Sequence, residues 1–136
     1  MPATLDRSLL ESFADTLRAR VARGQLFHCR ITNDKELHTL NLEFRKKDYA
    51  TDVLSFPNED ASGYLGDIAI SLQRARAQAL EWGHPIEDEI RILMLHGVLH
   101  LRGMDHEGDS GAMARTELRW RRKLGLPAGL IERVAE

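Results

Sequence analysis

The sequence predicts an α+β fold, helices packed around a few short strands, with one helix sunk in the core. Three observations predict it. Apolar residues recur at three- and four-residue steps over several segments, alternate or cluster over three shorter ones, and cover most of a helical circumference over residues 86–102. A chain of 136 residues with 43% apolar and 29% charged side chains has room for one such core, so residues 1–136 are read as a single domain.

The first helix is expected over residues 5–21, where Leu5, Leu9, Leu10, Phe13, Leu17 and Val21 form a stripe that Gly24 can close. Residues 26–32 follow as a half-buried strand, with Leu26, His28, Arg30 and Thr32 alternating with Phe27, Cys29 and Ile31. Asn33 and Asp34 can cap a second helix whose apolar members are Leu37, Leu40 and Phe44. Arg45, Lys46 and Lys47 sit near its end, where the helix dipole favours cations. TDVLSFP and YLGDIAIS, separated by the turn-like NEDASG, read as a hairpin or an adjacent pair of strands.

Ser71 begins a third helix through Leu72, Ala75, Ala79 and Leu80, which Gly83 closes, leaving His84 as a loop residue. Pro85 at the first helical position, with Glu87, Asp88 and Glu89 behind it, makes the clearest helix start in the chain. Its polar strip is limited to Glu87, Asp88, Arg91 and Arg102, so this helix belongs inside the molecule. A last helix over residues 110–123 carries Met113, Leu118, Trp120 and Leu124 ahead of Gly125 and Pro127.

Composition narrows the function classes. Nineteen basic against twenty-one acidic residues give a formal net charge of -2, so any nucleic-acid partner must be held by a local patch. Cys29 is the only cysteine, which rules out an intrachain disulfide and fits a reducing cytoplasm. The N-terminal stretch reads as an amphipathic helix rather than a signal peptide, and no segment approaches a membrane span.

The chemistry lies in three histidines. His96 and His100 are four residues apart, so both imidazoles leave one face of a helix a turn apart and can meet the same cation. Gly103 permits a sharp exit that folds His106 back toward that face as a third ligand. Three nitrogens leave a tetrahedral zinc ion an open position, as in reactive rather than structural sites. Unliganded imidazoles on so apolar a helix would each need another polar partner. His28, His38 and His84 lack ligand spacing, and Cys29 reads as a small hydrophobe. The spacing also equals that of HExxHxxGxxH metalloproteases, but Gly97 stands where their glutamate base belongs, so peptide hydrolysis is the weakest reading.

The residues HGVLHLRGMDH resemble the signature of the YbeY family of zinc-dependent endoribonucleases in bacterial ribosomal RNA maturation. The likeness continues upstream in NLEFRKKDYATDVLSFP and YLGDIAIS, so that the similar blocks span residues 41–106. Met104 departs from the tyrosine usual in the family, and the chain opens on a helix where many relatives open on a strand, which would leave the sheet one edge strand short. The resemblance implies a small mixed sheet packed with helices, with one zinc ion per chain on His96, His100 and His106, in a cleft beside a basic surface. It further implies that Arg45 is the cleft arginine, whose planar guanidinium suits a phosphate; spacing alone would make Arg45 a helix-end salt bridge.

The function expected on this basis is a cytoplasmic, single-strand-specific metallo-endoribonuclease of ribosomal RNA processing and ribosome maturation. Its partners would be ribosomal RNA and the small ribosomal subunit or its assembly factors, with no membrane and no DNA. The alternative is a zinc-stabilised ribosome-assembly or RNA-binding module that does not cut. Lys46, Lys47, Arg115, Arg119, Arg121 and Arg122 are candidates to extend an RNA track. Asp67 and Asp105 are left between supporting the site and local backbone roles.

Overall fold

The structure is a computed structural model that describes residues 5–60, 62–104 and 111–127. The chain runs α1 (Arg7–Arg20), β1 (Leu26–Thr32), α2 (Asp34–Arg45), β2 (Val53–Pro57), β3 (Tyr64–Ser71), α3 (Leu72–Trp82), α4 (Ile86–Leu101) and α5 (Ala112–Leu124). Side-chain caps set three of the starts: Asp6 accepts from the Leu9 amide, Asn33 from that of Glu36, and Ser71 from that of Arg74. Pro85 is the cap of α4 rather than its first helical residue. Its ψ of 150° is extended, and its carbonyl instead accepts from the Asp88 and Glu89 amides.

The sheet is mixed, in the order β1-β3-β2, with β1 parallel and β2 antiparallel to β3. Strand alternation divides its side chains between two layers. Phe27, Ile68 and Ile70 join α1 and α4 in the main core, whereas Leu54 and Ala69 pack with Leu37 of α2 on the other face. Helix α4 is buried on nearly every side, as its sequence requires, and lies directly on β2 and β3. Gly97 makes that approach possible, since a Cβ there would stand 3.0 Å from two carbons of Ile68.

Several side chains lie elsewhere than the periodicity suggests. Phe44, on the apolar stripe of α2, is 60% exposed, because Leu37 and Leu40 already cover the available sheet face. Glu89 is buried, with its Oε1 2.7 Å from the Nε2 of His84, so His84 is a core partner rather than a plain loop residue. In α5 the inward positions are Met113, Glu117 and Arg121; Leu118 is only half-buried, and the expected start at residue 110 lies outside the described residues. Cys29 is half-buried, and burial pushes its thiol up to about 12, in keeping with a small hydrophobe.

A bulge in β3 shapes one end of the sheet. The register steps from Leu26 opposite Tyr64 to Phe27 opposite Gly66, and Gly66 has a φ of 145°, open in practice only to glycine. A Cβ at Gly66 would stand 2.3 Å from the Phe56 carbonyl oxygen, which its own ladder holds in place. Gly66→Ala is therefore expected to cost about 1–3 kcal/mol in backbone strain and a similar amount in overpacking. Urea denaturation checks this, and a midpoint equal to the parent's would refute it.

Candidate metal centre

His96 and His100 leave the same face of α4, and their Nε2 atoms approach to 3.1 Å. Their other nitrogens are held by acceptors. The Nδ1 of His96 is 2.6 Å from Oε1 of Glu117, and the Nδ1 of His100 is 2.9 Å from the carbonyl oxygen of Met104. A carbonyl only accepts, and the Glu117 carboxylate already accepts from Arg121, so each Nδ1 is the donor. Each Nε2 is then the ring nitrogen that keeps a lone pair, and the two lie 3.1 Å apart.

That arrangement fits zinc. Two nitrogens at the usual Zn–N bond length of about 2.0–2.1 Å from a tetrahedral ion stand roughly 3.3 Å apart, close to the separation found. Nδ1 donors tied to a carboxylate and a carbonyl are also the ordinary support of metal-bound histidine. His106, the expected third ligand, lies outside the described residues, as does Asp105; among the described residues no three potential ligands cluster.

The end of α4 explains the support at His100. The Gly103 amide donates to the His100 carbonyl and the Met104 amide to the Leu99 carbonyl, a Schellman motif in which Gly103 takes a φ of 92°. This turn brings the Met104 carbonyl onto the His100 ring. Because the contact is made by backbone, methionine at position 104 supplies it as tyrosine would, while its side chain packs against the main core.

Support at His96 comes from two residues that sequence reading missed. Glu117 is 1% exposed and Arg121 fully buried; the Arg121 Nη2 donates to the second Glu117 oxygen at 3.1 Å. Arg121 is thus removed from the RNA-track candidates. The signal was present in the spacing: Met113, Glu117 and Arg121 recur every four residues on the face that Met113 turns to the core.

Arg45 ends α2, exposed, on the sheet face opposite α4. Among the described residues its side chain makes no hydrogen bond or ion pair, so the helix-end salt bridge that spacing favours is not formed. It lines an open groove of about 620 Å³ with Leu40, Phe44, Ser55, Phe56, Pro57 and Asp67. Ser55 lies on edge strand β2 and links the groove to the histidine helix, its Oγ donating to the Gly97 carbonyl at 3.1 Å. Asp67 sits across the ladder from Phe56 and accepts from the Tyr64 hydroxyl. Desolvation first, and that hydrogen bond second, push the Tyr64 hydroxyl up to about 12, so it remains a donor. Asp67 therefore lies on the Arg45 side of the sheet. Position 97 lies so close to Ile68 that even a Cβ there would stand 3.0 Å from its side chain.

Fold and site together define an α+β domain built around a buried helix whose paired histidines suit a divalent cation. The family model described as Endoribonuclease YbeY matches residues 4–124, and the chain belongs to that family. A protein from Solibacter usitatus named Endoribonuclease YbeY is 65% identical over 133 residues, covering 98% of this chain and 89% of its own. The protein of the same name from Helicobacter pylori strain J99 is 42% identical over 136 residues, covering 99% and 94%. The solution structure of TM1509 from Thermotoga maritima is similar with a TM-score of 0.60 at 28% identity, covering 87% of this chain and 82% of that one.

Proposed function

We propose that this chain is a zinc-dependent endoribonuclease that cuts single-stranded RNA in ribosomal RNA maturation. It would act in the cytoplasm on ribosomal RNA and the small ribosomal subunit. The observation that carries the metal-dependent part is the convergence of the His96 and His100 Nε2 atoms, each with its Nδ1 held as a donor. The nuclease part rests on membership in a family whose relatives bear that name. No helix of the described residues is long and apolar enough to cross a membrane.

On this reading His96, His100 and His106 hold one zinc ion, which supplies a Lewis acid for a phosphate oxygen or for water. Glu117 and the Met104 carbonyl keep the imidazoles in the tautomer that presents Nε2. Arg45 binds the scissile phosphate and neutralises charge developing on it, with two parallel N–H donors. Edge strand β2 lies between the arginine groove and α4, so an RNA strand laid along that edge can engage both.

The test is to incubate metal-loaded protein with a defined single-stranded RNA and to map the product ends, with His100→Ala as control. Cleavage by the parent and none by the variant is the expected result. A 2′,3′-cyclic phosphate would identify the ribose 2′-hydroxyl as nucleophile, and a hydroxyl at that end would identify water. RNA binding without cleavage by fully metal-loaded protein would overturn the proposal in favour of a binding module.

A further inference from the structure

Phe44 is an aromatic side chain that the fold does not use. It occupies the stripe of α2 that should face the sheet, yet it is 60% exposed, and one edge-to-face contact with Phe56, at a centroid distance of 5.5 Å and 68° between planes, is its ring contact. An edge-to-face partner steadies a ring while leaving face area open. The next three residues are Arg45, Lys46 and Lys47, all exposed.

The platform is held in position. Lys46 caps the C-terminus of α2 in the left-handed region at a φ of 59°, and the Lys46 and Lys47 amides donate back to the Leu42 and Asn41 carbonyls. The buried Asn41 side chain donates to the Tyr49 carbonyl at 2.9 Å, which ties down the loop that follows. A groove with an aromatic wall, an arginine beside it and two more cations next in the chain is complementary to a nucleotide: an apolar π-face for the base and positive charge for the phosphate.

We propose that Phe44 is a stacking platform for one unpaired base of the RNA substrate, set so that a phosphate adjoining that base meets Arg45. This deepens the nuclease reading and rests on it. A base inside a duplex already has both faces stacked, so Phe44 takes only an extruded or single-stranded one. Its role is specificity and positioning: it binds the base and does not touch the reacting atoms.

The experiment pairs protein variants with abasic substrates. A short single-stranded RNA is made with one abasic nucleotide at each position in turn, and cleavage is measured for the parent, Phe44→Leu and Phe44→Trp. Phe44→Leu is expected to raise KM about tenfold with kcat little changed, and Phe44→Trp to restore it. Removing the base at one position should cost the parent the same factor and cost Phe44→Leu nothing further, since both changes delete one contact. Additive losses at every position, or an unchanged KM for Phe44→Leu, would overturn the proposal. Loss of stability alone predicts neither the position dependence nor the rescue by tryptophan. Binding of the same RNA series, followed by fluorescence anisotropy, decides the subsite even if the parent cuts no RNA; that result would count against the nuclease reading alone.

Discussion

Glu117→Ala is expected to lower stability by about 3–5 kcal/mol, because it takes away the carboxylate to which the buried Arg121 guanidinium donates. Against a total of roughly 5–15 kcal/mol for a domain of this kind, that is a large fraction. Thermal or urea unfolding measures it. A second variant separates packing from positioning. Glu117→Leu with Arg121→Leu replaces both buried charges by apolar side chains, an exchange that is often neutral or stabilising. It still deprives the His96 Nδ1 of its acceptor at 2.6 Å. The double variant should therefore fold well yet bind zinc ten- to a hundredfold more weakly, the usual effect of losing a ligand's hydrogen-bond support. Metal affinity by competition with a chelator checks this. Parent-like affinity in a well-folded double variant would show that Glu117 serves the core and not the histidine.

The elements of the fold were legible because each has a local cause. Asn33 and Ser71 cap helices as their side chains allow, Gly83 closes α3 at a φ of 71°, and the period-two pattern of residues 26–32 coincides with β1. The pairing of strands was less so. That TDVLSFP and YLGDIAIS would lie side by side followed from their nearness, but the parallel pairing of β1 with β3 depends on chain reversal through α2, which no local pattern encodes.

Legibility of the site divides on the same principle. His96 and His100 could be placed together because helical spacing alone puts two side chains on one face. Glu117 and Arg121 were missed because a charged residue is assigned to solvent by default, and only the packing of α5 on α4 turns their shared face inward. Phe44 errs in the opposite sense. Its periodicity points to the core, and the limited width of a three-stranded sheet leaves it outside. The carbonyl of Met104 could not have been read from side-chain identity at all, since the contact belongs to the Schellman turn around Gly103.

Arg45→Ala is expected to lower RNA cleavage about a hundredfold while leaving zinc content at one ion per chain. The loss follows from removing one charge-assisted clamp from the transition state, an effect on the order of 3 kcal/mol. The retention follows from position: Arg45 lies across the sheet from α4, and its side chain makes no hydrogen bond or ion pair among the described residues. The fold should be indifferent as well, because an exposed side chain with no such partner is worth little to stability. Arg45→Lys discriminates between charge and shape. Lysine keeps the positive field but has a single ammonium in place of two parallel N–H donors, so it should recover little of the rate. Initial rates with elemental analysis of the same preparations test all three statements. Near-parental cleavage by Arg45→Lys would mean that a positive field suffices, and near-parental cleavage by Arg45→Ala would take Arg45 out of the active site.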